Sequence, residues 1–138
     1  MDPWDPNNQS VFEAIRKSRL EDVRATVSAV IPQHLMPPAD FIQLLTPGNQ
    51  AEVYKACLIV FLISGSQIVP RKLQLLAALA TLAGNDSEVI SGTGTGKTLA
   101  MAIPHLLDPE RVSLIVSPLK RLEVTQVCIF TVIMHVRV

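Results

Sequence analysis

The sequence predicts an α/β fold, with a parallel βαβ unit in its second half preceded by an all-helical segment. Three observations carry that prediction. Ser87-Glu88-Val89-Ile90 and Val112-Ser113-Leu114-Ile115-Val116 read as short strands that flank a helical stretch over Lys97–Leu107. A glycine-rich turn, Ser91 to Gly96, joins the first strand directly to that helix. Before residue 85, apolar side chains recur at helical spacing between proline and glycine stops. Strand, helix and strand joined by short connections give parallel strands with a right-handed crossover.

The helical segment divides at its prolines and glycines. Residues 1–9, rich in Pro, Asp and Asn, read as a loose leader. Ser10-Val11-Phe12-Glu13 has the form of a capping box, in which the Ser hydroxyl and the Glu carboxylate each satisfy a free amide of the first turn. Val11, Ile15, Val23, Val27 and Val30 then predict one amphipathic helix over 11–30, stopped by Pro32. Short helices follow over 39–45, ended by Pro47-Gly48, and over 50–63, ended by Gly65. Pro70 opens a further helix that runs to Ala83, with Gly84 as its stop. Beyond the second strand, Pro118 to Val127 reads as another helix.

Composition narrows the function. The 138 residues suit one domain. At 49% hydrophobic and with a mean hydropathy of +0.35, the chain is no disordered tail. Twelve basic residues balance twelve acidic ones, which excludes a polybasic nucleic-acid binder. Cys57 and Cys128 match neither a metal-ligand spacing nor a disulfide framework, and so point to a reducing, intracellular setting. Met1-Asp2-Pro3-Trp4-Asp5-Pro6 is acidic and proline-broken, the reverse of a secretory leader. The longest purely apolar run, Ala56 to Ile63, is far short of the ~20 residues that span a bilayer. His34, His105 and His135 share no ligand spacing, and Trp4, Tyr54 and the four Phe are too dispersed for a base-stacking platform.

One stretch carries chemistry. Ser91-Gly92-Thr93-Gly94-Thr95-Gly96-Lys97-Thr98 has the pattern of a phosphate-binding loop. Glycines let successive backbone N–H groups turn inward toward phosphate, and the helix that follows adds the positive end of its dipole. Lys97 is placed to reach the β and γ phosphates of ATP, and the Thr98 hydroxyl to help hold Mg²⁺. Thr93, Gly94, Thr95 and Gly96 complete the candidate cofactor-binding set. The strict pattern has Gly where this chain has Ser91; the helicase variant accepts a small residue there and adds a further Gly, here Gly94.

Three pieces in order resemble the front of a RecQ-type DNA helicase of the second helicase superfamily (DEAD/DEAH type), and most of all the RecQ-like proteins of fungi. Pro70-Arg71-Lys72-Leu73-Gln74 is similar to the family's Phe-Arg-x-x-Gln motif, with Pro70 in place of the aromatic. The loop follows, with Leu99-Ala100-Met101-Ala102-Ile103-Pro104 behind it. Ser117-Pro118-Leu119-Lys120-Arg121-Leu122, with Gln126 beyond, looks like the family's motif Ia. The resemblance implies a partial RecA-like P-loop NTPase domain over 68–127, after a helical segment 1–67 and before a divergent tail 128–138. It also implies that Gln74 reads the adenine edge beside Arg71. Ser117, Lys120 and Arg121 would grip the DNA backbone, 3′-to-5′ unwinding would belong to the complete protein, and the location would be nuclear.

The family draws its metal-holding and water-polarising carboxylates from a DExH box. Downstream of the loop this chain has only Asp108, Glu110 and Glu123. Asp108 and Glu110 precede the second predicted strand, about 16 Å of strand from the phosphate side, and Glu123 lies in the following helix. The expectation is therefore nucleotide binding without turnover, and no catalytic residue is assigned. The tail from Cys128 to Val138 reads as a cut-short chain or as a strand filling a gap in the sheet; it is apolar, β-branched and low in charge, an aggregation signature. A second reading, from another class, is a helical interaction module whose loop is a relic, with helices 11–30 and 50–63 offering apolar faces to a protein partner.

Overall fold

The computed structural model describes residues 5–92 and 94–112. They form α1 (Pro6–Lys17), α2 (Leu20–Val30), a 3-10 turn at Gln33–Leu35, α3 (Ala39–Gln43), α4 (Pro47–Ile63), α5 (Lys72–Leu82) and α6 (Lys97–Leu107). Among these residues there is no β-strand.

That architecture overturns the α/β expectation and the RecA-like βαβ unit with it. Residues 87–90 are irregular and Ile90 is 86% exposed. Val112, the first residue of the other predicted strand, is irregular and 94% exposed, while 113–116 and the helix predicted over 118–127 lie outside the described residues. The physical reason is that a strand is not completed locally. A four-residue apolar run becomes one only when a neighbour's backbone pairs with it, and no described segment supplies a ladder for 87–90.

The helices follow local chemistry, with some bounds moved. α1 begins earlier than the Ser10 capping box suggested, because Asp5 Oδ1 accepts the Asn7 N–H at 2.9 Å and Pro6 fills the first turn. Ser10 is inside the helix and donates to the Asn7 carbonyl. The helix expected over 11–30 is two, α1 and α2. Ser18 and Arg19 take extended backbone between them, and the Ser18 hydroxyl donates to the Ala14 carbonyl. The break leaves the apolar spacing undisturbed, so periodicity could not reveal it. Thr46 and Pro47 start α4, three residues before the expected point, with Thr46 Oγ1 accepting the Asn49 N–H.

Glycine ends two helices as the sequence foretold. After α4, Gly65 has φ +68°, and the Ser66 N–H reaches back to the Phe61 carbonyl. After α5, Gly84 has φ +77°, and the Asn85 N–H reaches the Ala80 carbonyl. Both are Schellman closures, in which a left-handed residue turns the chain so that terminal carbonyls find donors.

α4 is the hub. From Ala56 to Ile63 it is apolar around its whole circumference, which suits a helix enclosed by others. Val53, Ala56, Cys57, Leu58, Ile59, Val60 and Phe61 are all buried. α1, α2, α3, α5 and α6 pack on it, and α5 and α6 pack on each other. One core therefore runs from Phe12 and Val23 through α4 to Leu75, Ile103 and Leu106. A polar tie reinforces it: Arg16 Nε donates to the Leu106 carbonyl at 2.8 Å, joining α1 to the C-terminal end of α6. Burial lowers the Arg16 pKa, with nearby Glu13 acting the other way.

Candidate functional site

The glycine-rich turn and α5 meet, although Gln74 and Gly96 are 22 residues apart in sequence. Gln74, on the first turn of α5, is the one buried polar residue of the described set, at 8% exposed. Its Oε1 accepts the Arg71 N–H at 2.8 Å, which is half of a capping box; arginine has no acceptor to supply the other half. Its Nε2 donates to the Gly96 carbonyl at 2.9 Å and more weakly to that of Thr95 at 3.4 Å. Gln74 therefore fixes the start of α5 and the end of the loop together.

Gly96 suits its place on two counts. Its φ of +79° lies in the left-handed region, and a Cβ there would run into Gln74 Nε2. Gly94, at φ +78°, shares the conformational requirement but faces open space.

The rest of the turn is bonded to itself. Lys97 Nζ, on the exposed first residue of α6, donates to the carbonyls of Ser91 at 2.7 Å and Gly92 at 3.2 Å. Thr95 Oγ1 donates to the Gly92 carbonyl at 2.9 Å and lies 2.7 Å from Ser91 Oγ. Thr98 follows, half-buried in the first turn of α6.

The structure thus brings Arg71, Gln74, Gly94, Thr95, Gly96, Lys97 and Thr98 into one neighbourhood. Thr93, Ser117, Lys120, Arg121 and Glu123 lie outside the described residues. Asp108 caps the other end of α6, about 15 Å along the helix from Lys97, where it pairs with Arg111 at 3.4 Å. Arg111 also donates to the carbonyls of Thr81 and Leu82, closing the C-terminal end of α5.

These residues suit an anionic phosphate chain. The site has a cation at its mouth, a helix N-terminus behind it, and a left-handed glycine against the end of the Gln74 side chain. Lys97 would meet phosphate oxygens and the Thr98 hydroxyl would share in holding Mg²⁺, with ATP the nucleotide expected. Among the described residues no group of three His, Cys, Asp or Glu side chains could hold a metal ion directly. Cys57 is no nucleophile in this fold, since burial in α4 pushes its thiol up to about 12. No helix among the described residues is long and apolar enough to cross a membrane.

Ser91 is the residue that motif reasoning undervalued. It enters the pattern only as a departure from Gly, yet its hydroxyl and its carbonyl both take part in the loop's bonding. The signal was in the sequence, since a hydroxyl four residues before another on a tight turn can bond to it.

A cleft of about 220 Å³ lies elsewhere, between α2, α3 and α4, over Val27, Ile31 and Ile42 with Arg24, Gln50 and Tyr54 at its sides. It does not adjoin the glycine-rich turn.

The site is a glycine-rich turn set at a helix N-terminus, and comparison with known families bears on it. Residues 71–136 match the family model of the DEAD/DEAH box helicases, just under half of the chain. The match makes that segment similar to helicase domains that bind nucleotide and nucleic acid. It begins at Arg71, takes in α5, the loop and α6, and runs on through 128–136, which the motifs alone had set apart as a divergent tail. No curated protein and no solved structure shows a significant match to the chain.

Proposed function

We propose that the chain binds Mg-ATP through residues 91–98 as part of a RecQ-like, 3′-to-5′ DNA helicase, of the sort found in fungi and working in the nucleus. The observation that carries this reading is the seating of Gln74 on the Gly96 backbone. A glutamine expected to read adenine and a glycine expected to shape a phosphate loop come together, with no sheet among the described residues to align them. In the free chain the Gln74 amide is engaged with backbone at both ends. Adenine's N6 amine would take the remaining lone pair of Oε1, and its N7 would replace the weakly held Thr95 carbonyl at Nε2, with Arg71 exposed beside it. Ser117, Lys120 and Arg121 would contact the DNA backbone. Asp108, Glu110 and Glu123 form no DExH box, so the role proposed for residues 91–98 is nucleotide binding.

The competing reading, an interaction module with a relic loop, rested on free apolar faces along 11–30 and 50–63. Most of those faces are taken up internally: Phe12, Ile15, Val23 and Val27 are buried and α4 is enclosed, while Val11 and Val30 stay exposed. Isothermal titration of Mg-ATP onto the 138-residue chain tests the proposal. Saturable binding is expected, and Lys97→Ala should abolish it. Undiminished affinity in that variant would show that the nucleotide binds somewhere else.

A further inference from the structure

We propose that Ser91 is an affinity-limiting residue: its hydroxyl holds the loop in a self-bonded state that competes with phosphate. This rests on the nucleotide-binding reading above. The donors can be assigned by counting hydrogens. A threonine hydroxyl has one proton, and a carbonyl can only accept. Thr95 Oγ1 donates that proton to the Gly92 carbonyl, so the 2.7 Å contact between Ser91 and Thr95 is Ser91 O–H donating to Thr95 Oγ1. The result is a chain, Ser91 hydroxyl to Thr95 hydroxyl to Gly92 carbonyl, whose members polarise one another. Lys97 Nζ closes it by donating to the carbonyls of Ser91 and Gly92. Both lone pairs of the Gly92 oxygen are thereby taken, and two of the three ammonium protons of Lys97 are spent on the loop itself.

A phosphate group brings acceptors only. One ammonium proton of Lys97 is left for it; to engage Lys97 with a second oxygen, as a reach to both β and γ phosphates requires, it must displace a carbonyl from the ammonium. Nucleotide therefore binds the fraction of molecules in which the self-bonded loop has opened, and the apparent affinity falls by that fraction. The strict loop pattern has Gly at position 91 and could not build this chain. Ser91 supplies its first link.

Ser91→Ala removes the hydroxyl and keeps the Cβ, the carbonyl and the backbone. A net hydrogen bond of ordinary strength corresponds to a change of about 2- to 10-fold. In the free 138-residue chain, amide hydrogen exchange over 91–97 should quicken in the variant by about that factor. Stopped-flow binding of a fluorescent ATP analogue with Mg²⁺ should show a faster association rate, an unchanged dissociation rate and a tighter Kd by the same factor. Unchanged exchange would mean that the hydroxyl chain does not hold the loop, and the proposal would fall. Quickened exchange with unchanged or weaker affinity would overturn it too, since the loop would then open without favouring nucleotide. If neither chain binds the analogue while exchange still quickens, the nucleotide reading itself fails and takes the competition with it.

Discussion

The half of the molecule built around α4 and the half that carries the glycine-rich turn are ordered by different means. Around α4, order comes from area removed from water: Phe12, Val23, Val27, Val53 and Ile59 are all but sealed. Around the turn, order comes from a few directional bonds, chiefly those of Gln74, Lys97, Ser91 and Thr95 to loop backbone and to each other. Burial is cooperative and costly to disturb, whereas single hydrogen bonds contribute about 1 kcal/mol net and can be exchanged for a ligand's. The difference separates a rigid support from an adaptable site, and α6 belongs to both. Its far end is fixed by Ile103, Leu106 and the Arg16 contact, and its near end carries Lys97 and Thr98.

The largest expected effect breaks the support. Ile59 is fully buried in the C-terminal half of α4, and Ile59→Ala should cost about 2–5 kcal/mol through lost burial and the cavity left behind. Urea unfolding followed by circular dichroism would show the midpoint collapse, and nucleotide binding should vanish with the fold.

A smaller effect sharpens the contrast. Gly96→Ala forces a side chain into the left-handed region, which costs about 1–2 kcal/mol, and drives its methyl against Gln74. The melting temperature should fall modestly while Mg-ATP affinity falls steeply, a disproportion that a purely structural glycine would not show. The same substitution at Gly94, which meets nothing, should register only the conformational cost.

Legibility in the sequence follows the same division. α6 was readable to the residue, Lys97–Leu107, because a glycine stands before it and its apolar spacing is local. Gly65 and Gly84 were readable as stops for the same reason. The split at Ser18 and Arg19 was not, since the apolar spacing continues through it and only packing of both α1 and α2 on α4 requires the turn. The starts of α1 and α4 were misplaced because Asp5-Pro6 and Thr46-Pro47 are caps that the Ser10 pattern and the Gln50 start had overshadowed. The strand over 87–90 failed for a deeper reason, because strand formation depends on a partner that four residues cannot announce. At the site, residue types were legible and the long-range contact was not: nothing in the spacing says that Gln74 rests on Gly96, whereas two hydroxyls four residues apart on a tight turn do point to the Ser91–Thr95 bond.

The central claim is that α5 and the glycine-rich turn form one nucleotide site on a helical support. Two-dimensional amide NMR of the 138-residue chain titrated with Mg-ATP tests it most directly, because backbone and Gln74 side-chain amides are read together. The account predicts saturable shifts in the Gln74 side-chain amide and in Gly94 through Leu99, with α4 unmoved. Shifts confined to the cleft beside Arg24 and Tyr54, or a loop that moves without Gln74, would contradict it.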